Sequence, residues 1–243
     1  ELKPMVKTAL FQQYDFNKYG SLTRILENNY ASGGIIDTIL TQFIYAGTHL
    51  TKKRMSDASG YYSYSYEYDD KGNMVKLTYA REENSNKTKA NFELGRLIEI
   101  YNETYEYTRI SDNQTKKIIY NSQEKPYQQL IYSYDEYGNL VEETYTLIVT
   151  KKGSKISYKY DAYHRPVEKL DVSNVTGKNE LRYEYDYDEA GNILEERTFH
   201  NNNHKTTRQF LYDGRMLLSA LLTQDEETKT IQIVKYSYTF DWF

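Results

Sequence analysis

The sequence predicts an all-β protein, an antiparallel up-and-down meander of tyrosine-rich hairpin repeats with roughly 16 strands counted from its turn signals. Three observations support this fold class. Tyrosine supplies 28 of the 243 residues. A motif of aromatic-x-aromatic, Asp or Asn, two residues and Gly recurs along the chain. Between these motifs, aromatic or β-branched residues alternate with polar ones, the period of a strand with two different faces.

The motif has the chemistry of a hairpin turn. Its clearest copies are Tyr66 to Met74, Tyr132 to Leu140 and Tyr185 to Ile193. An Asp at the first turn position accepts hydrogen bonds from backbone N–H groups further along the turn, and Gly adopts the left-handed conformation that closes it. We therefore assign turn roles to the pairs Asp69 and Gly72, Asp135 and Gly138, and Asp188 and Gly191. Asp213-Gly214 predicts a two-residue type I′ hairpin.

The segments between turns predict strands. Tyr62, Tyr64 and Tyr66 alternate with Ser63 and Ser65, which places the three rings on one face. Arg96 to Tyr134 is expected to hold two long strands joined around Asp112-Asn113. Residues 1–7 are expected to form a tether and residues 8–243 a single repeat domain. Open sheets rarely exceed about ten strands, so a closed or nearly closed barrel is expected, with an open rolled or twisted single-layer sheet as the alternative.

Composition excludes several functional classes. The net charge is −4 and no long basic run occurs, which argues against nucleic acid as a partner. The absence of cysteine removes disulfides and thiol chemistry. No apolar stretch is long enough for a transmembrane helix. The chain begins at Glu1 without Met, so we expect a processed product from which an export segment was removed.

Candidate chemical groups favour no enzyme, cofactor or metal. The pairs Glu142-Glu143 and Glu195-Glu196 occupy equivalent repeat positions, but no nucleophile, base and orienting group can be assembled around them. His200 and His204 flank an Asn-rich turn, where a metal site is not expected. Aromatic side chains offer the one binding candidate, since Tyr62, Tyr64, Tyr66 and Trp242 could stack a ligand. The alternative is that these rings form the core or line a barrel.

The motif resembles the YD repeats of the RHS and teneurin families, at Tyr134-Asp135 with Gly138 to Leu140, and at Tyr187-Asp188 with Gly191 to Ile193. The resemblance implies hairpins that wind into a hollow β shell. The chain also resembles uncharacterised exported domains of Bacteroides-type bacteria with a porin-like β-barrel fold. That second resemblance implies secretion to the periplasm or cell surface, as an outer-membrane lipoprotein anchored through a removed N-terminal segment.

Three functions remain open from the sequence. The first is an exported, envelope-associated binding or scaffold module without enzymatic activity, with a glycan or another envelope protein as partner. The second is a structural β-shell fragment of a larger repeat protein. The third, a glycan-active enzyme, is disfavoured because no set of catalytic groups converges in the sequence. Exposure of the tyrosines separates the first two, because a surface cleft of rings favours binding and enclosed rings favour structure.

Overall fold

A computed structural model of the chain describes residues 12–31, 34–57, 60–82 and 97–240. These residues form seventeen strands of one antiparallel sheet, in which each strand lies beside its neighbours in the chain. The predicted all-β antiparallel meander is therefore confirmed. Across the described ranges there is no helix with the length and apolar character needed to cross a membrane. The proposed tether, residues 1–7, and Trp242 lie outside the described residues.

The chain separates into two compact units, Glu1–Glu106 with Ile119–Lys125, and Tyr107–Ile118 with Pro126–Phe243. The strands that lie or begin in the first unit are β1 (Gln12–Phe16), β2 (Leu22–Ala31), β3 (Gly34–Ala46), β4 (His49–Asp57), β5 (Gly60–Tyr68), β6 (Met74–Glu82) and β7 (Leu97–Ser111). The remaining strands are β8 (Gln114–Tyr120), β9 (Pro126–Tyr134), β10 (Leu140–Leu147), β11 (Gly153–Tyr160), β12 (Pro166–Ser173), β13 (Asn179–Tyr187), β14 (Ile193–His200), β15 (Asn203–Tyr212), β16 (Leu218–Asp225) and β17 (Ile231–Lys235).

The segment from Arg96 to Tyr134 differs from its prediction. It holds three strands, β7, β8 and β9, where two were expected. The additional reversal lies at Asn121–Lys125, where the amide N–H of Asn121 donates to the carbonyl of Lys125 at 3.0 Å. This turn was not recognised because Glu124 stands where the motif has Gly, and it nevertheless adopts a left-handed φ of 57°.

In the described part of the chain, no strand pairing closes the sheet. Among the described residues, β1 pairs only with β2 and β17 pairs only with β16. The expected closure into a barrel is therefore not found, and this pairing is consistent with the open alternative. Both end strands have only five residues, and short edge strands are one way in which natural sheets tolerate free edges.

Few side chains are fully buried. Within the described ranges, the buried hydrophobic residues are Tyr61, Tyr105, Ile119 and Ala220, and the buried polar residues are Thr41 and Ser63. Every residue of β10 and of β12 is half-buried. A sheet with so small a core depends on its backbone ladders and on contacts between side chains of adjacent strands. The tyrosines are placed where they can supply such contacts between adjacent strands.

The strand register explains the spacing within the motif. The aromatic residue before a turn pairs across it with the first residue of the next strand, as Tyr134 does with Leu140 and Tyr187 with Ile193. In both hairpins the register then shifts by one residue beside that pair. A bulge of this kind adds local twist and removes one residue from the ladder.

Candidate functional site

One five-residue turn recurs through the described chain. Its copies are Asn17–Ser21, Asp69–Asn73, Asn121–Lys125, Asp135–Asn139, Asp161–Arg165, Asp188–Asn192 and Asp213–Leu217. In each copy the N–H of the first residue donates to the carbonyl of the fifth, and the N–H of the fourth donates to the carbonyl of the first. Turns of different sequence thus form the same two backbone hydrogen bonds.

The first side chain of the turn holds it closed. Oδ1 of Asp135 accepts from the amide N–H of Tyr137 at 3.0 Å and from that of Asn139 at 2.8 Å. Asp69 and Asp188 accept from the amide of the fifth residue in the same way. The fourth residue is left-handed, with φ values of 81° at Gly72, 85° at Gly138 and 89° at Gly191.

Three turns place a residue other than glycine at the left-handed position. These residues are Glu124, His164 and Met216, with φ values of 57°, 62° and 64°. The turn at Met216 corrects the prediction of a two-residue type I′ hairpin at Asp213-Gly214. Asp213 instead accepts from the N–H groups of Arg215 and Leu217, which makes this turn another five-residue copy. Gly214 is its second residue and does not have a left-handed φ.

Tyrosine hydroxyls connect consecutive hairpins. The Tyr160 hydroxyl donates to the carbonyl of Leu140 at 2.7 Å, and the Tyr187 hydroxyl donates to the carbonyl of Pro166 at 2.7 Å. The same bond joins Tyr45 to Leu22, Tyr68 to Leu50, Tyr212 to Ile193 and Tyr238 to Leu218. We call these bonds tyrosine latches. Each accepting carbonyl lies at the start of the second strand of the preceding hairpin, on the first residue of that strand in five cases and on the second residue, Leu50, in β4.

The latch supplies a partner that the backbone does not. Leu140 lies two residues before Glu142, where the ladder between β10 and β11 begins. Pro166 likewise lies two residues before Glu168, where pairing of β12 with β13 begins. Backbone carbonyls need a hydrogen-bond partner when they are shielded from water. The phenol therefore extends the pairing of hairpins beyond the end of the ladder.

Three of the four rings proposed to stack a ligand, Tyr62, Tyr64 and Tyr66, lie in the first unit, where Tyr62 and Tyr64 pack against other rings. Tyr64 faces Tyr79 across the β5–β6 pair at a centroid distance of 5.0 Å, and Tyr79 faces Tyr101 at 5.2 Å. Tyr62 lies 6.3 Å from Tyr64. Burial is the main cause that raises the pKa of Tyr66. These rings, of which Tyr101 is exposed and the others are half-buried, form a cross-strand row, and this packing resembles that of a core more than that of a free platform.

The acidic pairs are separated by the sheet. Adjacent strand residues point to opposite faces, so the two carboxylates of Glu195-Glu196 cannot converge on one substrate. Glu195 lies 2.7 Å from Nη1 of Arg197, and Glu196 lies 2.9 Å from Nη1 of Arg208. Glu142 likewise pairs with Lys155. The pair of Glu195 with Arg197 lies within β14, whereas those of Glu196 and Glu142 join adjacent strands, and all three lie on partly exposed surfaces.

The histidines flanking the β14–β15 turn have separate partners. Nε2 of His200 lies 2.5 Å from Oδ1 of Asn179, whereas the His204 ring stacks on Phe199 at 4.8 Å. Within the part of the chain that the structure describes, no three His, Asp or Glu side chains are grouped as metal ligands would be.

A groove lies beside two neighbouring turns of the second unit. It has a volume of about 710 Å³ and is lined by Tyr163, Arg165, Tyr187, Asp188, Glu189, Ala190 and Gly191. Its central feature is the Arg165 guanidinium, whose carbon lies 5.0 Å from the Tyr163 ring centroid and 4.6 Å from that of Tyr187. These distances are typical of cation–π contacts. Asp161 holds the same guanidinium through Nε at 2.7 Å.

Sequence reasoning did not identify this groove. Its only signals are departures from the motif. His164-Arg165 replaces Gly-Asn in one turn, and in the next turn Ala190 stands at the position where three other turns have an exposed Tyr. The contact depends on strand order, which brings turns 161–165 and 188–192 together.

Comparisons with known proteins give distant structural similarities. No protein-family profile and no curated protein matches the sequence. A porin-like protein from Bacteroides uniformis is 12% identical, with 93% of this chain and 87% of that chain covered and a TM-score of 0.41. A porin-like protein from Bacteroides vulgatus is 10% identical, with coverages of 94% and 99% and a TM-score of 0.34. The Tc holotoxin pore of Photorhabdus luminescens is 14% identical, and the match covers 88% of this chain but 13% of that chain, with a TM-score of 0.35.

These structures include porin-like Bacteroides proteins, one of the kinds noted from the sequence.

Proposed function

We propose that this protein is a non-enzymatic structural module, a β scaffold whose repeated hairpins are joined by tyrosines and which spaces or supports other proteins. The observation that carries the proposal is the series of tyrosine latches. Six phenolic hydroxyls among the described residues bond a backbone carbonyl of the preceding hairpin. The most distinctive side chain of the sequence is therefore used to hold repeats together.

The ring row of β5 and β6 supports the same proposal. Ring centroids of Tyr64, Tyr79 and Tyr101 are spaced by 5.0 and 5.2 Å, within the range of favourable aromatic pairs. Such pairs contribute about 0.5–1.5 kcal/mol beyond the area they bury. Rings already engaged in this way stabilise the sheet and have less free surface for a ligand.

The cell envelope is the proposed location, and this part rests on the sequence resemblance to exported Bacteroides-type domains. Fractionation of cells expressing the natural gene tests it. We expect the protein in the envelope fraction, accessible to added protease if it lies at the surface. Recovery in the cytoplasmic fraction would contradict an exported scaffold.

Replacement of one ring in the row tests the structural role. We expect Tyr64→Ala to lower the urea midpoint substantially, because it removes contacts to two neighbouring rings. Tyr137→Ala is the matched control, since its side chain is 70% exposed and should leave the midpoint nearly unchanged. If Tyr64→Ala kept full stability but abolished binding of an oligosaccharide on an array, the row would be a ligand platform.

A second experiment tests the absence of catalysis. The purified protein is incubated with chromogenic glycosides, esters and peptides, and no turnover above buffer is expected. Turnover that disappears in Glu196→Gln but persists in Glu189→Gln would establish an enzyme and overturn the proposal. The second variant is a suitable control because Glu189 lies on a turn and not among the strand carboxylates.

A further inference from the structure

The groove of the second unit arises from two small residues. In the repeated turn, the third position holds Tyr137 in one copy and Tyr163 in the next, with side chains 70% and 78% exposed. The following copy has Ala190 and Gly191 at its third and fourth positions. Consecutive turns of this kind are two strands apart, which is about 10 Å. The missing side chains therefore leave a gap beside Tyr163 as wide as a small ring compound.

The floor of the gap is polar and held in place. Nε of Arg165 donates to Oδ2 of Asp161 at 2.7 Å, and Nη2 lies 2.7 Å from the same oxygen. Nη1 donates to the carbonyl of Asp188 at 3.2 Å. A guanidinium has five N–H donors, so the contacts described leave one N–H on each Nη nitrogen. A Cβ at Gly191 would lie 4.0 Å from Nη1, so this glycine leaves that side of Arg165 open.

The charges and rings limit the class of ligand. An organic cation would need the space between Tyr163 and Tyr187, which Arg165 already occupies. An anion would meet the carboxylates of Asp188 and Glu189 on the groove lining, and the one guanidinium there is already paired with Asp161. A neutral ligand avoids both penalties. It should carry hydroxyl groups for the free N–H donors and for Glu189, and a flat apolar face for the exposed Tyr163 ring.

We propose that this groove binds a neutral carbohydrate, with one sugar ring stacked on Tyr163 and its hydroxyls hydrogen-bonded to Arg165 and Glu189. The volume of about 710 Å³ is within the usual range for small-ligand sites, about 300–1,000 Å³. The site adds a binding activity to the structural role and does not depend on it.

Ala190→Tyr is the decisive variant. It fills the gap with the residue that the same turn position holds at Tyr19, Tyr137 and Tyr163, so the turn is expected to fold unchanged. Purified wild-type protein is titrated by calorimetry with neutral gluco-, manno- and N-acetylglucosamine oligosaccharides. Polygalacturonate and a random peptide mixture are titrated in parallel. The matched control is Tyr19→Ala, which removes a tyrosine 80% exposed from the same turn position of the first unit.

We expect saturable binding of at least one neutral oligosaccharide, weakened about tenfold or more by Tyr163→Ala and by Ala190→Tyr, and unchanged in Tyr19→Ala. Thermal unfolding of each variant accompanies the titrations, so that lost binding is counted only for a folded protein. Absence of binding to every neutral oligosaccharide would overturn the proposal. Equal affinity in Ala190→Tyr, or binding of only the acidic polymer or the peptides, would also overturn it.

Discussion

Replacement of Gly138 by alanine isolates the conformational requirement of the repeated turn. Gly138 has a φ of 85°, and a Cβ built on it would have no atom within 4 Å. Clashes with residues beyond its two chain neighbours therefore do not contribute, and the cost is that of a left-handed backbone in an L-residue, roughly 1–2 kcal/mol. Alanine also reduces the entropy of the unfolded chain, which returns about 0.4–1 kcal/mol.

Gly214→Ala provides a matched control. Gly214 lies in another copy of the turn, also without an atom within 4 Å of the added Cβ, but its φ is outside the left-handed region. The unfolded-state gain is the same for both variants and cancels in their difference. Gly138→Ala should therefore be less stable than Gly214→Ala by about 1–2 kcal/mol, with unchanged m-values, in urea unfolding followed by circular dichroism. Equal free energies of unfolding for the two variants would refute the assigned turn geometry.

Three further predictions follow from the same contacts. Met216→Gly should stabilise the protein by roughly 0.5–1 kcal/mol in urea unfolding, because it relieves a left-handed φ at a side chain that is 53% exposed; lower stability would contradict this. Hydrogen bonds from Asn73 lower the pKa of Asp69, so its contribution to stability is present above its unfolded pKa and is lost as pH falls through the folded pKa. Asp69→Asn should weaken the acid dependence of the urea midpoint, and an unchanged profile would contradict that pairing. Burial raises the pKa of Tyr132 and of Tyr185 to about 12, so their share of stability is present below pH 10 and is lost as pH rises towards 12; tyrosinate absorbance should show late-ionising groups that include these two, and complete ionisation near pH 10 in the folded protein would contradict it.

The turns could be predicted where local chemistry determines them. Asp135 is the hydrogen-bond acceptor and Gly138 is the left-handed residue, and both lie within four positions. The local sequence therefore contains everything that the turn requires. The Asn121–Lys125 turn escaped because Glu124 takes the left-handed position against its own preference. The pairing of the flanking strands imposes the left-handed conformation on Glu124, and the local sequence pattern does not predict it.

The tyrosine latches and the groove depend on how strands far apart in the sequence pair with one another. The carbonyl that accepts from Tyr160 belongs to Leu140, 20 residues earlier, and is available because the β10–β11 ladder begins two residues later. Alternation predicts that Tyr160 lies on a face of the sheet, but not which carbonyl it reaches. Arg165 is placed between two rings only because the next hairpin positions Tyr187 beside it. Pairing between hairpins therefore carries the information that local patterns lack.

The central claim is that phenolic hydroxyls fasten hairpins to the hairpins that precede them, and the free energy of unfolding of a triple Tyr→Phe variant tests it most directly. The variant removes the hydroxyls of Tyr160, Tyr187 and Tyr212, and its control removes those of the exposed Tyr19, Tyr137 and Tyr163. Each lost bond should cost about 0.5–1.5 kcal/mol, so the latch variant should be less stable by roughly 3 kcal/mol in total, with the control unchanged. Equal stability of the two variants would contradict the claim.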